Sequence, residues 1–197
     1  MPSETNNANL SLRVSARGQA LLKSYELGPP DNRAPEGYAP NPYRCPAGKL
    51  TIGWGHVIRM TDRLATPIDM GRAQQLFDDD VAPTAIYVRA ACGPAVLTQC
   101  QFDALVSFAF NVGVRAFETS TLRRYVKAGQ MSLAAAQFRL WNKVTVTDPC
   151  GRKMLLPCDG LIIRRELERM LFEGADDARI CVDRADLEAR AAAGSLA

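Results

Sequence analysis

A chain of 197 residues, 47% hydrophobic and 23% charged, can bury one good core or two lobes sharing a helix, but hardly two independent domains. The formal net charge of +3 suits an anionic polymer such as a bacterial wall without naming one, and no dense Lys/Arg run interleaves with aromatics, so nucleic-acid binding is not expected. No stretch approaches the roughly 18 apolar residues of a membrane span, which argues against stable membrane insertion, and the opening "MPSETNNANLSLRVSARG" lacks the basic and then apolar order of a signal peptide.

Residues 1–12 are polar and rich in Asn and Ser, and read as a disordered lead-in. From Ser15, "SARGQALLKSYELG" puts Ala20, Leu21, Leu22 and Tyr25 on one broad apolar face. That pattern predicts a helix of about three turns stopping near Gly28, where Pro29 and Pro30 forbid continuation. "PPDNRAPEGYAPNP" reads as a loop by composition. "YRCPAGKLTIGWGHVI" then gives two short extended runs around a Pro-Ala-Gly turn, a small hairpin or sheet. Gly53 and Gly55 in the second run suggest a bulge or a close backbone approach.

The rest reads as helix upon helix. "MGRAQQLFDDDVAPTAIYVRAA" carries Ala73, Leu76, Phe77, Val81 and Ile86 at helical spacing, with a bend expected at Pro83. In "LTQCQFDALVSFAFNVG", Thr98 and Gln101 make a capping box and Gly113 closes the helix. A run apolar nearly all round belongs at the centre of a core. "TSTLRRYVKAG" and "MSLAAAQFRLWN" are shorter amphipathic pieces parted by Gly129, and "DGLIIRRELERMLFEG" is another helix. Residues 177–197 read as a peripheral helix and tail, leaving 13–176 as one domain. A helix, a β-rich piece and a helical body imply two lobes with a cleft.

Six cysteines stand at 45, 92, 100, 150, 158 and 181. Cys92/Cys100 and Cys150/Cys158 could each close a short loop under oxidising conditions, but buried free thiols are the plainer expectation. No Cys-x-x-Cys pair exists and His56 is the only histidine, so neither a metal site nor a cofactor is expected.

Seven pieces follow one another in an order that carries a resemblance: Gly18-x7-Glu26, Cys45-x5-Thr51, "TIGWGH", "FDALVSFAFNVG", "STLRRY", "QFRLW" and "GLIIRRELERML". From about Val14 to Gly174 the chain resembles the phage-type lysozymes, or endolysins, of glycoside hydrolase family 24. The resemblance implies an α+β, mostly α-helical, two-lobe phage-lysozyme fold, with a small N-terminal β-hairpin or sheet lobe and a helical C-terminal lobe. It also implies a muramidase that cuts the β-1,4 bond between N-acetylmuramic acid and N-acetylglucosamine in peptidoglycan, with the pattern Glu-x8-Asp/Cys-x5-Thr.

Glycoside cleavage needs an acid for the leaving oxygen and a second group for water or the oxocarbenium-like centre. Cys45 and Thr51 fill the second and third positions, although a thiol departs from the two-carboxylate scheme and is mostly protonated near neutral pH unless its pKa is lowered. Two glutamates compete for the acid. Glu36 fits the spacing to Cys45 literally, whereas Glu26 fits the helix end, with ten extra residues before Cys45. A Pro/Gly loop would fix Glu36 poorly and placement governs rate, so Glu26 is preferred.

By the same resemblance His56 pairs structurally with Asp80, while Phe110 and Asn111 face the saccharide. Arg164 and Arg165 are expected to pair with Glu166 or Glu168, and Trp141 to lie in the core. The implied partner is peptidoglycan, met by a monomer made in the cytoplasm and acting on the wall in the periplasm. Delivery would be through a holin, or through a secretion system with an immunity protein; a non-catalytic wall-binding module is the remaining alternative.

Overall fold

The computed structural model describes residues 9–195. It divides into two compact units: Val14–Ile86, and the chain from Tyr87 onward together with the segment before Val14.

The first unit opens with α1 (Ala16–Lys23), whose N-cap Ser15 accepts from the Gly18 N–H. The helix stops five residues short of the predicted Gly28. Beyond Lys23 the chain tightens: Tyr25 N–H donates to the Leu22 carbonyl and Glu26 N–H to that of Lys23. Such three-residue bonds satisfy carbonyls left orphaned at a helix end.

The Pro-rich segment is ordered by backbone bonds from Gly28 N–H to Gly37 O and from Ala34 N–H to Tyr38 O. Its last residues are not loop, as expected, but part of β1 (Ala39–Arg44). Two prolines are tolerated there because β1 is an edge strand of the order β1-β2-β3, irregular in register between Ala39 and Tyr43. β2 (Leu50–Gly53) and β3 (His56–Val57) complete the sheet, with Thr51 opposite Tyr43 on one side and Val57 on the other. Trp54 joins Tyr38 and Phe77 in an aromatic cluster, ring centroids 5.4 and 6.1 Å away.

Helix α2 (Met70–Cys92) begins in the first unit and ends in the second, with Pro83 inside it. In the second unit α3 (Gln99–Val112) carries the predicted capping box of Thr98 and Gln101, and is buried continuously from Phe102 to Ala109. Its end is set by Gly113, at a φ of +89° that few side chains adopt. Helices α4 (Val114–Thr119), α5 (Thr121–Lys127) and α6 (Met131–Gln137) follow, then α7 (Asp159–Phe172), which packs on α3, and α8 (Asp177–Ala192), which buries no residue. Phe108 is the hub of this core, with Phe138 and Trp141 rings at 5.4 and 5.3 Å.

The all-helical expectation for this part is corrected by a hairpin, β4 (Lys143–Thr147) and β5 (Lys153–Pro157), paired antiparallel with every residue exposed. Of the expected lead-in, residues 1–8 lie outside the described residues. Asn9 is buried: it donates to the Ala95 carbonyl at 2.7 Å and accepts from Leu97 N–H at 3.0 Å. All six cysteines are free, and only Cys92 is fully buried, so burial of the thiols as a class is not what the structure has. No helix among the described residues is long and apolar enough to cross a membrane.

Candidate active site

Glu26 emerges from the tightened last turn of α1 and lays its carboxylate on the turn between β2 and β3. Gly55 makes that approach possible: a Cβ there would lie 2.7 Å from Glu26 Oε2, inside any real contact distance, and its φ of +79° independently favours glycine. Tyr43, on β1, lies within the electrostatic reach of both Glu26 and Cys45. Burial raises the Tyr43 phenol above its ordinary pKa, and the charges of Glu26 and Cys45 push it further the same way. The phenol therefore stays protonated and can donate.

Cys45 caps the far end of β1, where its N–H donates to Lys49 O at 3.0 Å and Gly48 N–H returns to its own carbonyl at 2.7 Å. Partial desolvation pushes the thiol pKa up. Backbone N–H groups of Lys49 and Ala47, the Thr51 hydroxyl and the Lys49 charge more than reverse this, and the thiol sits below a free cysteine's range. These donors all favour the thiolate. Thr51 is 2% exposed, its hydroxyl 3.1 Å from Lys49 O and in reach of the Cys45 sulfur.

Glu36 has a different setting. It is exposed on the turn from Ala34 to Gly37 and lines a cavity with Lys23, Leu27 and Trp54, a lining that includes none of Glu26, Cys45 and Thr51.

His56 is buried, with Nδ1 2.8 Å from Asp80 Oδ2. A second carboxylate, which the sequence reading missed, is Asp62, whose Oδ2 is 3.1 Å from Nε2. Asp62 also accepts from Arg59 N–H at 2.6 Å; that bond, followed by the one to His56, holds its carboxyl below the usual range. Both ring nitrogens are thus committed to tying β3 and its loop to α2, which leaves neither to act as a general base.

In the second unit Phe110 is half-buried and Asn111 exposed. Asn111 Oδ1 accepts from Arg165 at 2.5 Å, a contact not foreseen from spacing. Arg165 is fully buried beside the Phe108 ring and pairs with Glu168 at 3.0 Å. Glu168 also takes Arg164 at 3.0 Å and the Ser107 hydroxyl at 2.7 Å. Glu166 belongs to a separate, outer network with Arg139 and Arg169.

The Glu26 carboxylate at a helix end, over the Gly55 turn, thus lies in the same compact unit as the hydrogen-bonded Cys45 thiol and Thr51 hydroxyl. Residues 33–168 match the phage lysozyme family. The chain is 34% identical over 164 residues to the endolysin of Acyrthosiphon pisum secondary endosymbiont phage 1, covering 83% of this chain and 100% of that one. Among solved structures it resembles the endolysin from Escherichia coli O157:H7 phage FAHEc1, with a TM-score of 0.68 at 30% identity over 83% of this chain and 95% of that one. It also resembles the muramidase domain of SpmX from Asticaccaulis excentricus, with a TM-score of 0.64 at 32% identity over 82% and 97%. The chain belongs to the phage lysozyme family, and it is a peptidoglycan-degrading glycosidase of the endolysin kind.

Proposed function

We propose that this muramidase cuts the β-1,4 bond between N-acetylmuramic acid and N-acetylglucosamine with Glu26 as the acid, and with Cys45 and Thr51 organising the attack of water. The observation that carries this reading is the seat of Glu26 Oε2 against Gly55, on the same small sheet that bears Thr51 and ends in Cys45. Glu26 gives its proton to the glycosidic oxygen as the C–O bond breaks. Water adds to the anomeric carbon, and its proton passes to Cys45 in the thiolate form that the surrounding donors favour, from which it returns to Glu26 through solvent. Thr51 holds the water. A protonated Tyr43, within electrostatic reach of both groups, keeps a donor rather than a further negative charge near them.

The family match begins at residue 33, so Glu36 lies within it and Glu26 before it. Literal spacing thus supports Glu36, and the preference for Glu26 rests on geometry. Phe110 and Asn111 are assigned to the substrate. With Oδ1 accepting from Arg165, the Asn111 NH2 is the group that would donate to an acetamido carbonyl. His56 and Asp80 hold the sheet to α2. In this reading a monomer made in the cytoplasm reaches the periplasmic wall through a holin.

The test is release of reducing sugar from purified peptidoglycan by wild type, Glu26→Gln, Glu36→Gln and Cys45→Ser. The reading requires that of the three variants only Glu36→Gln retain activity. If Glu36→Gln is dead and Glu26→Gln active, the assignment is wrong and the literal spacing was the better guide.

A further inference from the structure

The cavity bordered by Glu36 is a second site with a chemistry of its own. It holds about 570 Å³, within the range of small-ligand pockets. Its walls are largely apolar, formed by Leu27, Trp54 and Met70, and it carries charge of both signs, Lys23 and Glu36.

The two charges do not pair with each other. Lys23 Nζ bonds to Gln74 and stands 3.9 Å above the Trp54 ring, which leaves ammonium donors to spare. Glu36 makes no hydrogen bond or ion pair with the described residues. Its turn is nevertheless held in place by the Gly28–Gly37 and Ala34–Tyr38 backbone bonds. Close packing fixes the rim too: a Cβ on Gly37, whose φ is +99°, would lie 2.7 Å from Leu27 Cδ2. A pocket built this firmly has little ordering cost on binding.

A cation, an anion and apolar walls in one pocket suit a zwitterion with a long aliphatic body. We propose that this pocket binds the diamino acid of the wall's stem peptide, its ammonium on Glu36, its carboxylate on Lys23 and its methylenes against Leu27, Trp54 and Met70. The choice of the wall peptide among such zwitterions rests on the peptidoglycan-degrading reading. The pocket would then hold the enzyme to peptide-bearing strands from a point outside the cleavage site.

The probe is the free tripeptide L-alanyl-γ-D-glutamyl-meso-diaminopimelate, titrated while the indole N–H resonances of the two tryptophans are followed by NMR. The expected result is a saturable shift of Trp54 with Trp141 unmoved. Glu36→Gln and Lys23→Met should each weaken binding about tenfold or more, as should acetylation of the peptide's free side-chain amine. A cooperative thermal transition and wild-type circular dichroism report that each variant is folded.

No Trp54 shift at millimolar peptide, or a shift indifferent to both variants, overturns the proposal. Sugar release by the same wild-type preparation is measured alongside. Release without peptide binding sinks this proposal alone, whereas peptide binding without release sinks the muramidase reading and leaves the pocket standing.

Discussion

Replacing Gly55 by alanine attacks the contact on which the acid's placement depends. The new methyl would lie 2.7 Å from Glu26 Oε2, where ordinary contact begins at 3.4 Å, so the carboxylate must retreat by about 0.7 Å. Displacements of about 1 Å cost on the order of a hundredfold in rate, and a fall in kcat of roughly ten- to a hundredfold is expected. The backbone adds a separate cost, because alanine at a φ of +79° loses about 1–2 kcal/mol, or about 2–8 °C in Tm for a chain of this size. Gly129→Ala is the control: its φ of +71° imposes the same backbone strain, but nothing lies within 4 Å of the added Cβ. Thermal denaturation and sugar release from purified peptidoglycan should show both variants with lowered Tm and only Gly55→Ala with lowered kcat. A folded Gly55→Ala protein with undiminished kcat would refute the reasoning.

Three further outcomes follow from the same structure. Native labelling with a thiol reagent near neutral pH should modify Cys45 readily and leave Cys92, pushed up to about 12 by burial, unmodified until the chain unfolds; rapid labelling of Cys92 in the folded protein would contradict this. Burial raises the Glu166 pKa, but Arg139 and Arg169 bring it from 4.5 to about 2. Its stabilisation is therefore complete above pH 4.5 and is lost as pH falls toward 2. Linkage sets an upper bound of about 3 kcal/mol, roughly half that after solvent screening, and Glu166→Gln should flatten stability over that range. Glu168→Ala removes the buried carboxylate that pairs with Arg164 and Arg165 and should destabilise by about 3–5 kcal/mol in urea titration; a loss under 1 kcal/mol would show that the network relaxes freely.

What was legible in the sequence was what local chemistry determines. Thr98 and Gln101 announce the start of α3 because a capping box needs only four consecutive residues. The features that escaped depend on tertiary approach. Val144, Val146, Met154 and Leu156 alternate properly for a hairpin, yet strands exposed on every residue gave no buried face from which to read it. β1 hid among prolines that only an edge strand accepts. Asp62 joins His56 through a loop, and Arg165 reaches Asn111 from 54 residues away, so no spacing rule could supply either. Glu26 and Glu36 could not be separated along the chain for the same reason. One lies against Gly55 and the other beside Lys23 and Trp54, and both neighbourhoods exist only once the sheet has folded onto the helices.

The most direct test of the central claim is the identity of the sugar end that the enzyme creates. Peptidoglycan is digested to completion, reduced with borohydride and hydrolysed, and the reduced amino sugars are identified by mass spectrometry. Cleavage by this muramidase through Glu26 predicts reduced muramic acid from the wild type and none above background from Glu26→Gln. Reduced glucosamine in its place, or an undiminished yield of reduced muramic acid from Glu26→Gln, would contradict the account.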